Sequence, residues 1–365
     1  MTPRSQQEQR KKEHLAIAER LYRQPEFDRD QFAQVRLMHP VLPETNMAAV
    51  HLEQLLFHKP INYPIYINAM TGGTAEAMPI NEKLAELAAH FKIPMAVGSM
   101  SILKSQPELA DSFIAARRLN PECVVFANLG ADKSPQFAQE MIDLLQADAL
   151  QIHLNAAQEF AMPEGDQDFH WTDSLNELQK TIGTQTPIIA KEVGFGMSAA
   201  SQDSLLKLGL ENLDLSGISR TNFITIENRR RSQALVSDYS DFGLTLVESL
   251  LSRLALQQAT SRTSKITFAS GGISTPWQAI KAFALGADFV GMSAYFLHLA
   301  LHHPLTEMIA IFGAWLTEFE QMLPVLGCQT IKDLQHIELI LSPELISFTE
   351  QIGLDPHQIR FNRET

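Results

Sequence analysis

Two cysteines, Cys123 and Cys328, are all that the 365 residues contain. That excludes a disulfide framework, and with no CxxC pair it also excludes the usual thiolate metal site, so a reducing, cytoplasmic setting is expected. Basic charge is scarce too: 29 Lys and Arg against 42 Asp and Glu give a net charge of −13, which argues against nucleic acid or an anionic membrane as partner. Any anionic substrate must be met by local cations working against that field. Long apolar runs are missing. The opening MTPRSQQEQRKKEH has no apolar signal core, and the most apolar late stretch, 282–302, is broken by Asp288, His298 and His302, so no membrane span is expected. There is no GxGxxG turn; the nearest approach is GFG at 194–196. DFG at 241–243 lacks every partner it has in a kinase. No internal repeat beyond the strand–helix rhythm and no low-complexity tract occurs.

What is present is the composition of a globular protein, 45 % hydrophobic and 19 % charged, long enough for one α/β barrel with additions or for two domains. Eight short apolar or alternating runs recur: 64–70, 93–99, 123–130, 148–155, 187–194, 212–217, 265–272 and 288–294. Helix-like patterns lie between them, at 80–91, 134–146, 174–182 and 275–286. Alternating βα units imply a parallel sheet, and eight of them imply a closed (β/α)8 TIM barrel. A doubly wound sheet is the alternative fold. Residues 1–60 read as an N-terminal arm that begins with a basic helix, 61–300 as the barrel core, and 301–365 as C-terminal helices, all within one domain. A polar insertion at 218–242 carries Arg229, Arg230 and Arg231.

The strand ends form the pattern that matters. In QIHLNAAQE, 151–159, the residues Gln151, His153 and Asn155 alternate with Ile152 and Leu154, which puts the polar side chains on one face. Gln158 and Glu159 follow in the turn. The other ends are Thr71-Gly72-Gly73, Gly98-Ser99, Asn128-Leu129-Gly130, Lys191, Ser216-Gly217, Ser270-Gly271-Gly272 and Gly291-Met292-Ser293-Ala294. In a barrel these ends face one mouth, so the mouth is expected to be a binding site. The glycine turns after the seventh and eighth strands suit phosphate held by backbone N–H groups. Lys191, inside an otherwise apolar strand, needs a partner: an anion, an electron-rich ring, or a carboxylate such as Glu192. Arg10 and His14 stand i, i+4 on the leading helix with Lys11 beside them, where they could grip a second anion or form a solvated face.

RKKEH near the N-terminus, NAMTGG, VGS, NLG, QIHLNAAQE, KEVGFGMS and ASGGI followed by GAD, in this order over residues 9–300, resemble the type 2 isopentenyl diphosphate isomerases. The resemblance implies a flavin mononucleotide (FMN) enzyme of isoprenoid biosynthesis that interconverts isopentenyl and dimethylallyl diphosphates by a 1,3-proton shift. With no net redox change, the flavin must act reduced, with NADPH or NADH as reductant and its N5 as the better primary proton donor. By motif, Met70, Thr71, Gly72, Ser99, Asn128 and Lys191 would surround the ring. Ser216 and Thr221 would reach the ribityl–phosphate arm, and Gly271, Gly272, Ser293 and Ala294 would hold its phosphate. Arg10, Lys11, His14, His153 and Asn155 would hold the substrate diphosphate, Glu159 would bind the bridging Mg²⁺, and Gln158 would be the catalytic relay beside the allylic carbons. A homo-oligomer, tetramer or octamer, is implied as well.

Two departures stand out. Family members often continue VGS with Gln-Arg, where this chain has Met100-Ser101, and the glycine-rich loop after strand six reads Gly217-Ile218-Ser219-Arg220-Thr221-Asn222. Two other functions compete. A 2-hydroxy-acid oxidase would need a histidine base at the seventh strand end, where SGGIST offers none. A flavin-binding protein without catalysis is the other, and the departures are what favour it.

Overall fold

The computed structural model describes residues 3–24, 30–165, 167–219, 222–237, 239, 241–356 and 359, with side chains from residue 9 onward. Its strands are β1 Val35–Leu37, β2 Gln54–Leu56, β3 Lys59–Ile61, β4 Ile65–Ile67, β5 Met95–Ala96, β6 Val125–Gly130, β7 Ala149–Leu154, β8 Ile188–Glu192, β9 Asn212–Asp214, β10 Ile266–Ser270, β11 Phe289–Met292 and β12 Leu339–Leu341. Strands β4 to β11 are parallel neighbours in chain order and close on themselves, one strand for each of the eight runs read from sequence. Strong local signals frame the intervening helices. Ser134 accepts from Phe137 N–H at the start of Pro135–Leu145, and capping boxes Thr245/Glu248 and Thr275/Gln278 open Leu246–Thr260 and Pro276–Ala284.

Outward-facing residues such as Ile65, Val125, Leu150 and Ile152 join the helices in a core that extends from Ala18 to Ile359. Inward-facing residues at the other pole form a second cluster around Tyr66, Phe126, Phe268 and Phe289. Phe268 stacks on Phe289 at 5.1 Å and meets Tyr66 edge-on at 5.5 Å. The hairpin β2–β3 closes this pole with Leu56 and Ile61. Its two-residue turn, Phe57-His58, has φ of +48° and +69°, a conformation that usually selects Asn-Gly. Phe57 packs edge-on against Phe126 at 6.0 Å.

Three features differ from the sequence reading. The hairpin straddles the boundary at residue 60. Strand β12 interrupts the C-terminal helices and pairs antiparallel with β1, because three apolar residues carry no period that separates strand from helix. The insertion after β9 contains a helix, Phe223–Arg230. Among the described residues, no helix is long and apolar enough to cross a membrane.

Candidate active site

The barrel register builds the site. Gly130, His153, Lys191 and Asp214 are direct neighbours across β6, β7, β8 and β9. The same row continues to Phe268 and Phe289, descending from mouth to floor as the strands stagger. Above it opens a cavity of about 530 Å³, within the range of small-molecule sites. The polar face of QIHLN thus points into the barrel and not to water.

Lys191 finds its partner in Asp214, which the sequence reading missed: Nζ donates to Asp214 Oδ2 at 2.9 Å and to Ser270 Oγ at 3.2 Å. Asp214 is fully buried and also accepts from Tyr66 Oη at 2.6 Å and Ser270 Oγ at 2.6 Å. Burial and this carboxylate push the Tyr66 phenol well above its ordinary value. Only the lysine of the ion pair faces the cavity. Asn128 Oδ1 accepts from His153 Nδ1–H at 2.9 Å, and Asn128 Nδ2 donates to Gln151 Oε1 at 3.1 Å. Burial lowers His153 to about 4, against the pull of nearby Asp132, so the ring is neutral at pH 7.

Helix Ala156–Ala161 follows β7 and carries Gln158 and Glu159. Asn155 Nδ2 donates to Glu159 Oε1 at 2.9 Å. Gln158 Nε2 donates to Glu227 Oε1 at 3.0 Å, and His14 Nε2 lies 2.7 Å from the same oxygen. Burial raises the Glu227 carboxyl, but His14, Gln158 and Arg230 outweigh it and hold it at about 2. Arg230 pairs with the other Glu227 oxygen, with Glu13 at 2.8 Å and with Glu164 at 2.8 Å. One buried arginine therefore joins the leading helix, the insertion helix and the loop beyond Gln158. Arg230 was legible only as part of a charge cluster and Glu227 only as one residue of a polar insertion, since nothing in the chain places residue 227 beside residue 158.

The leading helix, Pro3–Tyr22, brings Arg10, Lys11 and His14 to the cavity. Arg10 Nη1 donates to Met162 Sδ at 3.1 Å. Lys11 Nζ donates to the carbonyls of Gly72 and Ser99 at 2.7 and 2.9 Å, and burial and then Arg10 lower its pKa to about 7. Lys11 therefore ties the helix to two strand-end loops as well as facing the cavity.

Met70, Ser99, Asn128, Ser216, Gly271, Gly272, Ser293 and Ala294 all line the cavity. Thr71 and Gly72 stand behind its wall, with the Thr71 carbonyl accepting from Gly98 N–H at 2.9 Å and from Asn81 at 3.3 Å. Thr221 and Arg220 lie outside the described residues. In the first departure Met100 is buried, while Ser101 faces the cavity and accepts from Ser99 Oγ at 3.1 Å. Lys104 and Lys133 also reach the cavity and were not singled out in the sequence.

The fit to a phosphorylated ring cofactor rests on these features. Gly271 has φ +100°, and a Cβ there would lie 2.8 Å from Gly217 O, so side chains are kept out of a close backbone approach. Gln31 braces that turn through Gly271 O at 3.1 Å. The nine-residue helix Ala294–His302 starts at the same place with no side-chain cap on its first turn, leaving N–H groups for an anion. The residues present fit FMN.

No family model matches the chain. Over 354 residues it is 39% identical to the isopentenyl-diphosphate delta-isomerase of Staphylococcus aureus strain N315 and 40% identical to that of Staphylococcus haemolyticus strain JCSC1435, covering 97% of this chain and 99% of each relative. Solved structures of similar shape include mandelate oxidase with a monooxide FMN adduct (TM-score 0.59, 14% identity, 89% of this chain and 92% of that one). Another is a flavocytochrome b2 variant with sulfite bound (TM-score 0.64, 18% identity, 93% and 84%). At these identities the likeness is one of fold. With the relatives aligned along nearly its whole length, the chain belongs to the type 2 isopentenyl-diphosphate delta-isomerases.

Proposed function

We propose that this enzyme interconverts isopentenyl and dimethylallyl diphosphates in isoprenoid biosynthesis, using FMN reduced by NADPH or NADH and a Mg²⁺ ion. The observation that carries the reading is one cavity in which the Lys191 wall faces Gln158, whose amide donates to Glu227, with His14 2.7 Å from the same carboxylate oxygen. Met70, Ser99, Asn128 and Lys191 would hold the ring, and Gly271, Gly272, Ser293 and Ala294 the phosphate. When bound and reduced, FMN supplies an electron-rich ring and a proton-bearing nitrogen. The chain's own residues do the rest. Asp214 holds Lys191 in place at the ring edge. Arg10, Lys11, His153 and Asn155 bind the diphosphate, with Glu159 as the hard oxygen ligand of Mg²⁺. Glu227, anionic at neutral pH, takes the Gln158 amide N–H and so fixes the amide against the reacting carbons, where orientation and proton relay are needed.

A 2-hydroxy-acid oxidase fits less well: the turn after β10 offers no histidine, and the histidines lining the cavity among the described residues are His14 and His153. Cys123 and Cys328, both buried and joined by no disulfide, suit a cytoplasmic enzyme. Exposed Val41, Leu42 and Leu55 suit assembly into a homo-oligomer.

The test is the purified protein itself. It should be yellow, release FMN on denaturation, and under reducing conditions with Mg²⁺ exchange deuterium into isopentenyl diphosphate. Flavin adenine dinucleotide as the sole flavin, or FMN bound without any exchange, would sink the assignment.

A further inference from the structure

Away from the cavity, three groups with metal-ligand chemistry converge where the leading helix crosses helix Ala294–His302. Glu19 Oε1 lies 2.9 Å from His298 Nδ1 and 2.8 Å from His302 Nε2, and one ligand atom from each group falls within 4.8 Å of the others. The histidines are i, i+4 on one helix, so their rings share a face, with centroids 4.7 Å apart.

As a hydrogen-bonded cluster the arrangement is unbalanced. One carboxylate oxygen serves two imidazoles, while Glu19 Oε2 is buried with no hydrogen-bond partner among the described residues. An ion among the three groups removes that imbalance, since a carboxylate can bind through both oxygens. Tetrahedral bonds of roughly 2.0–2.2 Å place neighbouring ligand atoms about 3.3 Å apart. The observed N···O separations need to open by only about half an ångström to reach that spacing. Side-chain exposures of 13 % for Glu19, 29 % for His298 and 40 % for His302 leave a path for the ion and for a water as fourth ligand.

We propose that Glu19, His298 and His302 form a site for a borderline divalent transition ion, with Zn²⁺ as the reference case, that clamps the leading helix to the helix after β11. Two imidazoles with one carboxylate suit Zn²⁺, Co²⁺ or Ni²⁺ and disfavour Mg²⁺, which prefers oxygen. The site is separate from Glu159. The clamp joins the helix that presents Arg10, Lys11 and His14 to the helix whose first turn borders the Gly271-Gly272 cradle, so metal binding steadies both sides of the cavity.

The experiment uses tag-free, full-length holoprotein in excess Mg²⁺. Co²⁺ is titrated by its ligand-field absorption on the red side of the flavin bands, and Zn²⁺ by competition with a chromogenic chelator. One Co²⁺ per chain, displaced by Zn²⁺, is expected, together with a rise in Tm on adding Zn²⁺. His302→Ala and Glu19→Gln should each weaken Zn²⁺ binding by at least the roughly 10–100-fold that loss of even an outer partner costs. Glu19→Gln keeps the shape of the side chain, so it decides the matter should His302→Ala fail to fold. His303→Ala, one residue on and paired with Glu307 at 2.9 Å, should bind as the parent does. Zn²⁺ binding that persists unchanged in Glu19→Gln, or a parent protein that binds no more Zn²⁺ than a His298→Ala/His302→Ala double variant, overturns the proposal.

Discussion

The two poles of the barrel are made by the same eight strands and do opposite things. At the floor, inward positions are Tyr66, Phe126, Phe268 and Phe289, closed by the β2–β3 hairpin. At the mouth, inward positions a residue or two further along are Asn128, His153, Lys191 and Asp214. The floor is held by contact, which is tolerant of which apolar group supplies it. The mouth is held by directional hydrogen bonds, charge-assisted between Lys191 and Asp214, in which each buried group depends on particular partners. A substitution at the floor should thus cost stability and spare chemistry, whereas one at the mouth should do the reverse.

The largest effect is expected at Gln158. Its amide is fixed by Glu227 and contributes mainly as the proton moves, so Gln158→Ala should lower kcat by about 10²–10⁴-fold with little change in KM. His153→Ala, which removes a contact present in ground and transition states alike, should chiefly raise KM. Normal turnover of pre-reduced Gln158→Ala under anaerobic conditions would reduce Gln158 to part of the wall.

Phe268→Ala probes the other pole. Truncating a fully buried ring that touches three others should cost about 3–5 kcal/mol in urea unfolding, with kcat of the surviving folded protein near that of the parent. A comparable fall in kcat would mean that the floor positions the mouth, and the contrast between the poles would fail.

Glu159→Gln sharpens the reading of the mouth. Losing a hard anionic ligand should raise the Mg²⁺ half-saturation point by at least the roughly tenfold that outer-partner losses cost. An unchanged metal dependence would give Glu159 the structural task of holding Asn155.

The smallest effect is a fraction of a proton. His153 sits near 4 in the free protein, so it is neutral at pH 6–7, and a bound diphosphate dianion raises its pKa. Binding should therefore take up protons at that pH, and affinity should fall as pH rises through the raised value. Calorimetry in buffers of different ionisation enthalpy measures the uptake, and zero uptake would show that His153 binds as a neutral ring.

The eight strands, their order and most of the cavity wall were legible because they depend on local pattern: short apolar or alternating runs, turn glycines, and helix-like spacing between them. Lys191 was legible as a residue in need of a partner. Which partner it took was not, because Asp214 becomes its neighbour only through the β8–β9 register, which separate runs of sequence do not encode. The same holds for the contact of Glu227 with Gln158 across 69 residues and for that of Arg230 with Glu13 across 217. Strand β12 was missed because three residues cannot display a period. Local chemistry thus determined the fold class and the residue types at the mouth. Closure of the barrel and docking of the leading helix decided which charges meet, since electrostatic pairing acts over a few ångströms of space and takes no account of distance along the chain.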